Sequence, residues 1–207
     1  MSPSSSSSSI PPPPPPPPPP APADVVPPSL ADLCDVHVAS PTRPRVVEPG
    51  LLVPYGLRRR FHGQIETVRC YESNPSVRSV LSTPGLGRVL IVDGGGSRRC
   101  ALLGDEIASL AVSNSWSGVI VHGCIRDSEI INGLELGVMA IGTHPVKSVK
   151  THPGELGVAV NFGGVEFASG WWAYVDEDGV MVSEVPLHGA ANSTTDDASS
   201  DASSSRL

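Results

Sequence analysis

The chain has 207 residues, and its 21 acidic against 14 basic side chains give a formal net charge of −7. No basic stripe of the kind that neutralises phosphates is present, which argues against a nucleic-acid-binding protein, and no apolar run approaches the ~20 residues needed to span a bilayer. The four cysteines (Cys34, Cys70, Cys100, Cys124) form no Cys-x-x-Cys pair and the six histidines no His-Glu-x-x-His pattern, so a zinc ribbon, a thioredoxin-like redox pair and a His-based metal site are not expected.

Residues 1–28 combine the serine run Ser4–Ser9 with an unbroken proline run, Pro11–Pro20. Such a segment favours polyproline II and has nothing to bury, so it reads as a disordered extension; a docking ligand or part of a transit peptide are the alternatives. The head has no arginine before Arg43, which disfavours a transit peptide, and no basic segment followed by an apolar one, which points to a reduced intracellular chain. Residues 189–207 are mostly Ala, Ser, Thr and Asp and end in Ser205-Arg206-Leu207. That tripeptide is similar to the peroxisomal Ser-Lys-Leu signal, so a peroxisome or related organelle is expected, with the cytoplasm as the alternative. Between these extensions, residues 29–188 have the length of one domain.

Within that domain Ser29–Val36 suits a short helix capped by Ser29. Gly87–Asp93 is a short apolar run closed by Gly94-Gly95-Gly96, a buried strand and its turn. Asp105–Trp116 has helical spacing, with Asp105 as a plausible N-cap. Gly118–His122 and Gly137–Gly142 read as further buried strands, separated by a helical turn through Ile130–Leu134. This alternation is that of an α/β layered core. Val158–Phe162, Val165–Ala168, Trp171–Val175 and Val180–Ser183 then read as short antiparallel strands, with Asp176-Glu177-Asp178-Gly179 as a hairpin turn.

Three places concentrate chemistry. Gly94-Gly95-Gly96-Ser97 has Arg99 where a dinucleotide loop needs its third glycine, so a tight turn is the better account. At Gly104-Asp105-Glu106-Ile107 the chain enters the long helix, whose first N–H groups are free and carry partial positive charge. A carboxylate could sit there, although alone Asp105 reads simply as a cap. Gly123-Cys124-Ile125-Arg126-Asp127 follows a buried strand, where ligands collect in open α/β sheets. Arg126 offers a fork of donors for a carboxylate or keto oxygen, and Asp127 a hard oxygen for a water-rich Mg²⁺ or Mn²⁺; a structural Arg–Asp pair is the simpler alternative.

The stretch GGGSRRCALLGDEIASLAVSNSWSGVIVHGCIRD resembles the RraA-like family, which includes 4-hydroxy-4-methyl-2-oxoglutarate aldolases and regulators of ribonuclease E activity. The resemblance extends through LCDVH, FHGQIETVRCYE, GVMAIGTHPVKSVK, NFGG and WWAYVDEDGVMVS. It implies a swivelling β/β/α fold, a ring-like homotrimer that can stack into a hexamer, and a metal-dependent class II aldolase. Such an enzyme cleaves 4-hydroxy-4-methyl-2-oxoglutarate to two pyruvates and decarboxylates oxaloacetate, both through a pyruvate enolate. Carried onto this chain, Asp127 holds the metal (Mg²⁺ or Mn²⁺) and Asp105 bonds a water on it. Arg126 contacts the substrate oxygens, and the amides of Gly104 through Ile107, Glu106 included, hold the pyruvyl carboxylate of a small 2-oxo acid. The chain departs from the pattern at Ile130, where aldolases of the family tend to carry an acid three positions after the aspartate; Glu129 is one position early. The alternative implied function is a regulator that binds and inhibits an RNA-degrading enzyme. Trp171 and Trp172 read either as interface anchors or as one core residue and one cover of a sheet edge; Arg58-Arg59-Arg60 reads as solvated surface, His144 and His152 as structural, and Cys124 as a buried small hydrophobe.

Overall fold

A computed structural model describes residues 28–40 and 43–188; the expectations for the proline head and the Ser-Arg-Leu tail fall outside the described residues. Helix α1 (Leu30–His37) begins as expected, with the Ser29 hydroxyl accepting from the Asp32 amide at 3.1 Å. Two short strands, β1 (Arg45–Val46) and β2 (Val53–Tyr55), lead into β3 (Phe61–Arg69), helix α2 (Pro75–Leu81) and β4 (Val89–Asp93). The centre of the chain is β5 (Ala101–Leu103), α3 (Asp105–Ser113), β6 (Gly118–Ile125), the single turn α4 (Ser128–Ile131) and β7 (Gly137–Thr143). The remainder is strands: β8 (Glu155–Leu156), β9 (Val160–Phe162), β10 (Val165–Phe167), β11 (Trp172–Asp176) and β12 (Gly179–Ser183).

A mixed sheet runs in the order β1-β12-β11-β3-β4-β6-β7-β2, with β5 joined to β6 and β8 to β3. The contacts among β3, β4, β6 and β7 are parallel, and the flanks are antiparallel, including the expected β11–β12 hairpin. The unbroken apolar run of β4 is explained by burial on both faces. Leu90 and Val92 pack with Val119, Val121, Val138 and Ala140 beneath α2 and α3, while Val89 and Ile91 pack with Ile65, Ile120 and Met139 against β9 and β10. Each such side chain contributes roughly 1.5–3 kcal/mol on burial, so the parallel block is the anchor from which the loops at its edge hang. Phe61 lies across this block, and a Cβ on Gly118 or Gly137 would collide with its ring. Helices on one face and the β9–β10 ribbon on the other make the β/β/α layering that the family resemblance implies. No helix among the described residues is long and apolar enough to cross a membrane, and all four cysteines are free thiols.

Four boundaries differ from the sequence reading. Helix α3 is capped by Gly104, not Asp105: the Gly104 carbonyl accepts the first helical bond from Ala108 at 3.0 Å, which puts Asp105 at the first helical position. The helix ends at Ser113, leaving Trp116 buried, with its indole N–H donating to the Thr83 carbonyl. Strand β6 continues through Gly123, Cys124 and Ile125 past an irregularity in the β7 pairing, because β5 and β7 both bond to that extension. The helical turn begins at Ser128, not Ile130, since Asp127 accepts from the Ile131 amide and starts it. The two tryptophans are both partly buried, Trp171 on the β9–β10 side and Trp172 on the α1 side, so neither is the core residue that the second reading expected.

Candidate functional site

The candidate site forms where β5 and β6, parallel neighbours, end together. Leu103 is registered with Ile125, and the Arg126 amide donates to the Leu103 carbonyl at 2.9 Å. The twenty residues between Asp105 and Arg126 are therefore the α3 crossover from one strand end to the next, which returns the chain to its starting edge. Gly104 leaves β5 with φ −131° and ψ −179°, ordinary extended backbone, so its glycine is explained by space. A Cβ there would lie 2.9 Å from Asp127 Oδ2 and 3.1 Å from Arg126 Nε.

Asp127 adopts the left-handed conformation, φ 53° and ψ 36°. Turning the chain there brings its carboxylate back onto its neighbour, with Arg126 Nε 3.2 Å from Asp127 Oδ2. Both side chains are about one-third exposed, 37% for Arg126 and 34% for Asp127, so the pair faces solvent and is available to a ligand. A left-handed non-glycine residue at a strand end is a strained arrangement that points to function.

A cavity of about 570 Å³ opens beside this pair. Gly104, Asp105, Glu106, Ile107 and Arg126 all line it. Asp127 is not a wall residue; it reaches the site through Arg126 and the Gly104 backbone. The residues of the first turn of α3 line it, and the amides at a helix start carry partial positive charge that favours an anion. Glu129 and Ile130 are exposed on α4, Ile130 at 54%. Cys124 is buried, and burial raises its thiol above the ordinary range, consistent with an inert apolar role.

The cavity also gathers residues that the sequence did not single out. Asn74 and Arg78 come from the start of α2, and Lys147, Ser148 and Lys150 from the segment after β7. Asn74 Nδ2 donates to the Leu102 carbonyl at 3.0 Å, and Arg78 pairs with Glu106 at 3.4 Å. The segment after β7 is bonded to β5: the Ala101 amide donates to Val146, and Ser148 donates to Ala101. No local pattern announces these neighbours, since tens of residues separate them from the strand they join.

Comparison with known proteins gives a consistent result. Residues 30–182 match the family model described as RraA-like: Aldolase/RraA. A relative from Aromatoleum aromaticum is 54% identical over 157 residues, covering 76% of this chain and 96% of the relative, and bears the name "Putative 4-hydroxy-4-methyl-2-oxoglutarate aldolase". A solved structure from Geobacillus kaustophilus, described as an S-adenosylmethionine: 2-dimethylmenaquinone methyltransferase, is 46% identical with a TM-score of 0.74, covering 79% of this chain and 99% of the other. The RNA-processing inhibitor RraA from Thermus thermophilis is 38% identical with a TM-score of 0.73, covering 78% of this chain and 95% of the other.

Proposed function

The chain belongs to the RraA-like family, and from that membership we propose a divalent-metal-dependent lyase that cleaves 4-hydroxy-4-methyl-2-oxoglutarate to two pyruvates and decarboxylates oxaloacetate. The observation that carries this reading is the meeting of the α3 N-terminus, through a side-chain-free Gly104, with the Arg126–Asp127 pair at the mouth of one cavity.

The donor set suits a hard cation. Asp127 offers one partly exposed carboxylate, and no group of three or more His, Cys, Asp or Glu among the described residues is arranged to hold a metal. A single protein oxygen, with the other positions left to water and substrate, matches Mg²⁺ or Mn²⁺ better than zinc. Asp127 would hold this cation, which when bound supplies Lewis-acid polarisation of the 2-oxo group.

The chain's own groups account for the rest. The amides at the start of α3 bind the carboxylate next to the 2-oxo group, and Gly104 lets it approach the backbone. Arg126 places a preorganised positive charge beside the 2-oxo oxygen, where negative charge develops. In the aldol cleavage the C3–C4 bond breaks, its electron pair passes into the enolate, and the 4-hydroxyl gives up its proton as C4 becomes the ketone of the leaving pyruvate. In the decarboxylation the C3–C4 bond breaks with loss of carbon dioxide and yields the same enolate. Both enolates are then protonated at C3 to pyruvate. Asp105, the first residue of the helix and a wall residue, orients a water for these proton transfers.

Ile130 separates the two reactions. An exposed apolar side chain at this position supplies no acid–base group, so the aldol step suffers more than the decarboxylation, which removes no hydroxyl proton. The test is pyruvate release from both substrates with and without chelator. The expected result is loss on chelation, rescue by Mg²⁺ or Mn²⁺, and loss in Asp127→Ala. Chelator-resistant turnover contradicts the reading, and a chain that turns over neither substrate but inhibits an RNA-degrading enzyme favours the regulatory alternative. Family membership also supports a ring-like homotrimer, single or stacked in pairs, which light scattering tests.

A further inference from the structure

The segment after β7 reaches the cavity by an indirect path. Strands β5 and β7 flank the C-terminal end of β6, with Leu103 and Thr143 both registered with Ile125. Just beyond, the His144 amide donates to the Ile125 carbonyl at 2.8 Å, as the Arg126 amide does to Leu103 at 2.9 Å. Two residues later the chain is already on the far side of β5. There the Val146 carbonyl accepts from Ala101 at 2.8 Å, Lys147 is level with Ala101, and Ser148 donates to Ala101 at 3.1 Å. His144-Pro145-Val146 therefore crosses the ends of β6 and β5, where the chain departs as Arg126 and Gly104, and delivers Lys147 and Ser148 to the cavity wall.

That crossing has few means of being held. Pro145 has no amide to donate, and it biases His144 toward extended backbone. The Val146 amide donates not to backbone but to the His144 imidazole, at Nδ1, 3.2 Å away. A ring nitrogen that accepts is unprotonated, so the neutral imidazole carries its proton on Nε2. Asn and Asp side chains commonly accept from the amide two residues on and so close a turn; here an imidazole does the same. Past Val146 the segment is fixed by backbone bonds, the last of them from Val149 to the Glu72 carbonyl at 3.0 Å. The crossing itself is set by the His144 side chain.

We propose that His144 is a positioning residue for the candidate site: by accepting from Val146 it fixes the strap that crosses the strand ends, and so aligns the cavity wall with Arg126. Its effect on turnover rests on the lyase reading; its effect on the strap does not. A strap released from the imidazole shifts the wall relative to Arg126, and small misplacements of this kind are costly in turnover.

Three variants of the full chain test it. His144→Asn keeps an acceptor for the amide two residues on, whereas His144→Ala and His144→Phe remove it, the second while retaining an aromatic ring. With Mn²⁺ supplied, kcat for oxaloacetate is expected to fall about tenfold in the Ala and Phe variants and to stay within about twofold in the Asn variant. Hydrogen exchange of residues 144–150, followed by mass spectrometry, should quicken about tenfold in the first two and not in the third, with thermal unfolding showing that all three are folded. Unchanged exchange or unchanged turnover in the Ala and Phe variants, or an Asn variant as impaired as they are, overturns the proposal. A wild-type chain that turns over no 2-oxo acid overturns the lyase reading, and the exchange pattern alone then decides the strap: quickening confined to Ala and Phe supports it, and any other pattern overturns it.

Discussion

The two ends of the sheet treat their polar groups in opposite ways. In the antiparallel flank, where α1 and the chain up to His188 cover β11 and β12, the buried Tyr174 and Asp176 side chains are partnered. The Tyr174 hydroxyl accepts from the Leu187 amide at 2.6 Å and meets His188 Nδ1 at 2.8 Å. The buried Asp176 carboxylate accepts from Leu30 at 2.8 Å and from Asp178 at 2.9 Å. At the end of the parallel block the balance differs: among the described residues the Ser148 hydroxyl has no partner and Lys147 and Lys150 form no ion pair, and Asp127 is left-handed. The flank satisfies its polar groups internally and so contributes stability, whereas the strand ends keep Arg126 and Asp127 about one-third exposed to solvent.

That contrast predicts which substitutions reach activity and which reach only stability. The largest effect is expected for Arg126→Ala, which removes a preorganised charge and should lower kcat by about 10²–10³-fold. The melting temperature should hardly move, because the pair is one-third exposed. Gly104→Ala comes next. The new Cβ meets side-chain atoms of Asp127 and Arg126 rather than backbone, so the fold tolerates it while the two groups shift, and kcat should fall about tenfold or more. A marked fall in stability without loss of turnover would break the comparison on this side.

Tyr174→Phe probes the other region. Losing a hydroxyl that serves Leu187 and His188 leaves a buried amide unpaired and should cost about 1–3 kcal/mol in denaturant unfolding, with kcat unchanged. A further effect lies in the pH profile of stability. His62 stacks on Tyr174 with ring centroids 5.7 Å apart and lies 4.6 Å from the His188 ring. Burial, with His188 adding to it, lowers its imidazole from 6.5 to about 4. Between these values the unfolded chain binds more protons than the folded one, so stability is full above the window and falls as pH drops through it. The His62→Gln variant should flatten the urea midpoint across that range, and an unchanged slope would exclude His62 as its source.

Much of the parallel block was legible because its strands are dry on both faces. The runs at Val89–Asp93 and Gly137–Thr143 show this as uninterrupted apolar stretches, and the hydroxyl cap at Ser29 as a helix start. Strand β3 was hidden because its buried face includes Gly63 and Thr67, which dilute the alternation that marks a half-buried strand. Strand β5 has only three residues, too few for any period. Arg126, Asp127 and Gly104 were readable as a motif, since the crossover length fixes their spacing. Asn74, Lys147 and Ser148 were not, because hydrogen bonds to Leu102 and Ala101 deliver them to the cavity from distant loops, and those bonds leave no local trace in composition or spacing.

The central claim is that Asp127, beside Arg126, binds a divalent cation together with a 2-oxo acid. Titration of Mn²⁺ into the full chain in the presence of pyruvate, followed by calorimetry or by the relaxation of bulk water, measures this directly. The account predicts saturable binding in the wild type that pyruvate strengthens and that Asp127→Ala abolishes while the variant stays folded. Binding that is absent in the wild type, or unchanged in Asp127→Ala, would contradict it.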